Sequence, residues 1–347
     1  MARDSALDAS AGIIAAVVVS AAAYQASMVF APLALALFII AIVWPLQSWL
    51  QARMPGLLAL AITMTVTVAA CLAFASLVVW GFGRVGRSLI ADSARYQALY
   101  DAAIAWLEGH GISVAGLWSE HFNVGWLLRW ASQVTGRVNT TLSFWLIALV
   151  YVILGLMEVE DLRQRVETYA GTESAKTLLA ASAATAQKIR KYMEVRTQMS
   201  LATGVLVGAF AWATGLQFAL EWGVIAFALN YIPFIGPFVA TLFPTLLAMA
   251  QFASWEAMVG VFVCLNIIQF VVGSYIEPRV SGAVLAMSPS VVLFAVFFWT
   301  FLWGLFGAFI GVPIALAILT FCSYYPSSRW VSDLLGGPVA GKPVESR

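Results

Sequence analysis

The chain has 347 residues, of which 62% are hydrophobic and only 10% charged, and its mean hydropathy is +0.91. A soluble chain of this length cannot bury that much apolar surface, so the composition specifies a polytopic membrane protein. The formal net charge of +1, with charges confined between apolar blocks, excludes nucleic acid as a partner.

From Ala9 to Ala52 no residue is charged, and a helix of that length would measure about 66 Å, twice the ~30 Å hydrocarbon core. Two spans are therefore expected, turning near Ser27 to Pro32, where proline cannot continue a helix cleanly. The stretch from Gly12 to Ala23 has the look of a signal sequence. Arg3 is outweighed by Asp4 and Asp8, however, and apolar character resumes through Phe30 and Leu33, so a first transmembrane helix is expected instead. With a third span to about Phe82, residues 1–82 form an N-terminal block of three helices.

Residues 83–140 mix Arg84, Arg87, Arg95, Arg129 and Arg137 with Asp92, Asp101, Glu108 and Glu120, and Leu89, Leu99 and Trp106 recur at helical spacing. This reads as an amphipathic region outside the bilayer, on the extracytoplasmic side. His110 and His121 are the two histidines of the chain and have no third ligand at zinc spacing, so no metal site is expected.

A fourth span is expected at 141–158, followed by a charged segment at 159–197 whose lysines and arginines place it in the cytoplasm. With three spans before the outer region, the N-terminus is cytoplasmic. Residues 198–325 form a second membrane half, and 326–347 a cytoplasmic tail. Within that half, Gln198 to Leu220 makes one span, in which Gly204 and Gly208 favour close helix packing. The uncharged run from Trp222 to Trp255 contains Pro233, Gly236 and Pro237, and reads as a helical hairpin broken at its turn. Ala257 to Ile276 adds a span carrying Asn266 and Gln269 on one face. The charge-free stretch from Val280 to Ser328, with Pro289, Gly304, Gly307, Gly311 and Pro313, then makes a last hairpin, Gly311 and Pro313 being read as a helix-break motif. The expected fold is all-α, with about eight transmembrane segments and broken helical hairpins in the C-terminal half.

Helix breaks at bilayer depth free backbone groups that lipid cannot satisfy, so they persist where protein or a watery cavity receives them. That makes the C-terminal half the candidate path. Glu277 is its sharpest residue, because an ionisable group near bilayer depth usually faces a cavity or a partner, and a proton taken up there would couple movement along the path to an ion gradient. The plainer reading pairs it with Arg279 across Pro278, as a structural ion pair at a helix end. Asn230, Asn266 and Gln269 offer hydrogen bonds to a polar cargo, or else join helices. Glu221 and Glu256, each beside a tryptophan, read as interfacial markers. Phe234 to Pro237 is partly echoed from Phe309 to Pro313, which would suit paired transporter hairpins.

A phosphate-binding Gly-x4-Gly-Lys-Ser/Thr loop and a His-Glu-x-x-His motif are both missing, so neither ATP hydrolysis nor an intramembrane enzyme is expected. No cofactor is expected. Cys71, Cys264 and Cys322 all lie in apolar segments and read as packing.

The run Asn230 to Pro237 (NYIPFIGP), Ile268 and Gln269 ahead of Ile276 to Arg279 (IEPR), Ser288-Pro289, and the closing Gly304 to Pro313 (GLFGAFIGVP) together resemble the autoinducer-2 exporter (AI-2E) family of permeases. The resemblance implies a bacterial inner-membrane exporter of roughly eight spans that assembles as a homo-oligomer. Its cargo would be a small polar solute such as the autoinducer-2 quorum signal. Sodium or lithium exchange for protons is the alternative, and a structural assembly role a second one. Phe270 departs from the family, which often has glycine or an acidic residue after the Gln269 position.

Overall fold

The computed structural model describes residues 2–91, 109, 138–169, 173–281 and 287–336. Most of the expected amphipathic region at 83–140, with both histidines, and the tail beyond 336 lie outside the described residues. Among the described residues the regular elements are helices: α1 (Ala2–Gln25), α2 (Ser27–Gln51), α3 (Gly56–Ala91), α4 (Val138–Tyr169), α5 (Glu173–Ala213), α6 (Ala219–Leu229), α7 (Ile235–Phe252) and α8 (Trp255–Phe270). A π-helical segment (Val271–Ile276) joins α8 to α9 (Glu277–Ser281), and α10 (Pro289–Tyr324) and α11 (Arg329–Leu335) complete the fold. The protein is all-α and polytopic. Six helical stretches are long and apolar enough to cross a membrane, at Ser27–Gln51, Gly56–Ser88, Ser143–Thr168, Ile235–Phe252, Trp255–Val280 and Pro289–Tyr324, with α6 a shorter apolar helix, so the expected eight is approximate.

Four of the five expected block boundaries fall inside continuous helices, 82/83 in α3, 140/141 and 158/159 in α4, and 197/198 in α5. The helix α3 runs through Arg84 to Ala91, and α5 runs unbroken from the charged segment into the membrane half. At 41 residues α5 is about 62 Å long, twice a hydrocarbon core. What carries it through its charges is a buried stripe at helical spacing: Ala181, Thr185, Ile189, Tyr192, Arg196, Ser200, Thr203, Val207 and Ala211.

The chain divides into two compact units. The first comprises Met1–Thr67, Phe144–Glu194 and Ser281–Arg347. Here α1 breaks from α2 at Ala26, and α2 packs on α10, with Phe38 edge-on to Phe309. Ser288 caps α10 by accepting from the Val291 N–H at 3.3 Å, and Pro289 occupies the first turn, where its missing N–H costs nothing. The helix doubles back at Trp303–Gly304, where Gly304 has φ 63° and ψ −141°, a conformation open essentially to glycine alone. The expected last hairpin is therefore present, and of its expected breakers Gly304 makes the turn while Gly311 and Pro313 do not. Those two lie in the returning arm, where a Cβ on Gly311 would sit 2.9 Å from the Ala295 carbonyl oxygen and one on Gly307 would overlap the Trp299 carbonyl. Glycine spacing here serves arm-to-arm contact.

The second unit comprises Val68–Ser143 and Val195–Val280. Its core holds Val207, Ala211, Trp222, Ile225, Ala240, Leu247, Val261 and Leu265. Helices α5 and α6 run antiparallel with backbones touching. A Cβ at Gly204 would lie 2.7 Å from the Gly223 oxygen, and one at Gly223 would lie 2.8 Å from the Gly204 oxygen. Close approach of this kind is how membrane helices associate without a hydrophobic driving force between them, and Gly223 completes the packing predicted from Gly204 and Gly208.

Candidate functional site

The first broken hairpin, α6 and α7, supplies the tip of the site. Between them Asn230 to Phe234 turn tightly, and Gly236 is required because a Cβ there would overlap the Leu229 carbonyl. Phe234 has φ 63° and ψ −53°, and the Ile235 N–H donates to the Pro233 carbonyl at 2.7 Å. That is a γ-turn of the rare, strained hand, built on a non-glycine residue. Pro237 then falls in the first turn of α7, where a missing N–H is tolerated. Of the expected helix-break residues, Pro233, Gly236 and Pro237 all stand at this turn.

The tip is fastened to α5. The buried Asn230 donates from Nδ2 to the Ser200 hydroxyl at 3.4 Å, and the Tyr231 hydroxyl bonds Thr197 Oγ1 at 3.0 Å. The Tyr231 ring is held edge-on by Phe74 of α3 and Phe227 of α6, with centroids 5.6 Å away in each case. Next to these contacts on α5, Arg196 Nη1 lies 3.3 Å from Glu277 Oε2. The arginine side chain is 10% exposed and the glutamate 27%. Glu277 thus has an ionic partner, but it is Arg196, 81 residues earlier, and not the neighbouring Arg279. The Arg279 guanidinium instead stacks 3.7 Å over the Tyr275 ring, a cation–π contact on its own helical turn.

Pro278 does not break its helix. The helical run continues from Trp255 to Val280, and the strain is relieved by the π segment before it, where the Glu277 N–H reaches back five residues to the Val272 carbonyl. Widening the helix there spares the carbonyl that the proline ring would crowd, and it re-aims Glu277. Asn266 and Gln269 share a helix but not an environment. Asn266 is exposed and donates to the Phe262 carbonyl of its own helix at 2.7 Å, whereas the Gln269 amide nitrogen is buried without a hydrogen-bond acceptor. Of the two, Gln269 has donor capacity left for a ligand or a water.

At the far end of this unit Arg84 Nε pairs with Glu221 Oε1 at 3.1 Å, and the glutamate side chain is only 7% exposed. Glu221 is therefore a buried carboxylate paired with an arginine that is itself 58% exposed. Gln251 ties the adjacent loop, accepting from the Gln217 N–H at 2.8 Å and donating to the Gly215 carbonyl at 2.7 Å. Because Gly208 faces Ala219, the Glu221 end lies about 18 Å along α5 from Arg196. Between the two ends lies a groove of about 600 Å³, lined by Gly204, Gly208 and Gly223 and otherwise almost wholly by apolar side chains.

Arg196, Thr197, Ser200 and Tyr231 were not selected from sequence. Their signal was present, since Arg196, Ser200 and Thr203 recur at i, i+4 and i+7, a polar stripe on a helix entering an apolar span. Among the described residues no group of three or more His, Cys, Asp or Glu side chains is placed to hold a metal.

Residues 13–327 match the profile of the AI-2E family transporters. The chain belongs to the AI-2E transporter family. Among individual proteins it is 28% identical over 297 residues to the AI-2 transport protein TqsA of Escherichia coli (strain K12), covering 84% of this chain and 85% of that one. Two further relatives carry provisional designations as transport proteins. One, from Borreliella burgdorferi (strain ATCC 35210 / DSM 4680 / CIP 102532 / B31), is 32% identical over 151 residues, 43% of this chain and 42% of its own. The other, YhhT of Escherichia coli (strain K12), is 34% identical over 126 residues, 36% of each chain. The family membership agrees with a membrane-embedded carrier of small molecules.

Proposed function

We propose that this AI-2E family member is a secondary transporter of the bacterial inner membrane that exports a small polar solute, the autoinducer-2 signal being the first candidate. In this reading both termini are cytoplasmic and the working form is a homo-oligomer. The observation that carries it is the Arg196–Glu277 pair, set beside the tip of a broken hairpin on a largely apolar unit. A paired ionisable group in such a place is costly to keep and is retained where it works. Protonation of Glu277 would cancel the attraction that holds Arg196 and free the α5 face to which Asn230 and Tyr231 are tied. Gln269, with its buried donor, would meet the cargo's oxygens along the same helix as Glu277.

The test is extracellular autoinducer-2 in exporter-deficient cells expressing wild type, Glu277→Gln or Arg196→Gln at matched membrane levels, with sodium and lithium tolerance recorded alongside. Wild type is expected to raise the external signal and both variants to return it to background. If the signal does not respond to any of the three while cation tolerance follows wild type alone, the chain is a cation/proton antiporter instead. If neither readout moves, the transport reading fails and a structural assembly role takes its place.

A further inference from the structure

Arg190 lies on the charged stretch of α5, yet it is half-buried, and its Nη1 donates to the backbone carbonyl of Ala41 in the apolar helix α2 at 2.9 Å. A carbonyl inside an α-helix is normally spoken for by the N–H four residues on. For Ala41 that residue is Pro45, which has no N–H and whose ring pushes the carbonyl of the fourth preceding residue outward. Withdrawn from water by helix packing, such a carbonyl needs another donor, and here α5 supplies it. Arginine suits the position: it keeps its charge, its fork of donors reaches sideways, and a charge-assisted hydrogen bond is stronger than the amide bond it replaces. The buried neighbours Ile189 and Tyr192 seat this face of α5, and Lys191 is occupied by Glu194 at 3.2 Å.

We infer that Arg190 is the hydrogen-bond donor for the carbonyl that Pro45 leaves unsatisfied, a positioning residue that locks α5 to α2 one turn before Pro45 so that the two helices act as one body. The bond is a matter of these two helices alone. Its effect on transport rests on the transporter role proposed above.

The experiment is a double-substitution cycle on the full chain in lipid nanodiscs: wild type, Arg190→Met, Pro45→Ala and the double variant, with Arg190→Lys as a conservative control. Arg190→Met keeps the aliphatic stem and removes the donor. It is expected to lower Tm by about 2–4 °C or more, with Arg190→Lys recovering part of the loss. In the Pro45→Ala background, where the regular N–H is restored, the same change should cost less than half as much. Equal losses in both backgrounds, or no loss beside Pro45, would overturn the assignment. Should Arg190→Met fail to fold, a folded double variant supports the inference, and a double variant that fails where Pro45→Ala folds overturns it. Efflux of whichever probe wild type moves, autoinducer-2 or lithium, is read on the same proteins. Slowed efflux in Arg190→Met restored by Pro45→Ala is expected, and coupled stability with unchanged efflux would overturn the positioning role. If wild type moves neither probe, the stability cycle alone still decides the hydrogen bond.

Discussion

Phe234 occupies a backbone conformation that L-residues rarely adopt, at the point where the first hairpin turns. Strain of this kind costs on the order of 1–3 kcal/mol and is held by the bonds on either side, here Asn230 to Ser200 and Tyr231 to Thr197. Phe234→Gly should therefore fold normally, whereas the β-branched Phe234→Val should lose about 1–2 kcal/mol, measured as the shift in thermal unfolding of the purified proteins. A loss for glycine as large as for valine would show that the turn is not strained. The motif around Phe234 could be read from the chain as a helix break. Which residue would carry the positive φ could not, because proline and glycine both stand within two positions and the load falls on neither. Glu277 likewise stands out in sequence as an ionisable group in an apolar run, while its partner Arg196 is invisible until α5 and α9 are placed side by side.

At the scale of elements, glycines with the same look in sequence divide by what surrounds them. A Cβ at Gly204 meets the backbone of α6, which cannot move aside as a flexible side chain would, but a Cβ at Gly260 of α8 meets nothing within 4 Å. Gly204→Val is expected to cost more than about 2 kcal/mol or to prevent accumulation of folded protein, and Gly260→Ala to be neutral or stabilising by up to about 1 kcal/mol. Thermal unfolding or yield of monodisperse protein checks both. Equal tolerance at the two sites would contradict the α5–α6 packing. The small-residue spacing announced a close helix contact without naming the partner, and Gly223 became meaningful only once α6 was seen to supply it. The same logic picks out which of the expected breakers turns the last hairpin. Gly311 and Pro313 resemble a turn in sequence, but proline can lie within a membrane helix when its neighbours satisfy the freed groups, and the turn went to Gly304, where φ and ψ demand glycine.

For the whole molecule, the proposed orientation rests on the Lys/Arg bias between Arg163 and Arg196, which would put that face, and with it both ends of the chain, in the cytoplasm. A reporter fused after Arg347 that is active only in the cytoplasm should therefore report, and one active only outside should stay silent; the reverse result would invert the orientation. By itself the sequence determined that the protein is an all-helical membrane protein with interrupted hairpins in its second half. Hydropathy, charge runs and helix breakers are local properties, and lipid tolerates few backbone solutions. The tertiary structure decided which charges and amides meet. Arg196 finds Glu277, Arg84 finds Glu221 and Arg190 finds the Ala41 carbonyl through helix contacts spanning 81, 137 and 149 positions of chain. No periodicity reports such distances. Each pair exists because a polar group withdrawn from water must be satisfied by whatever helix packing brings beside it.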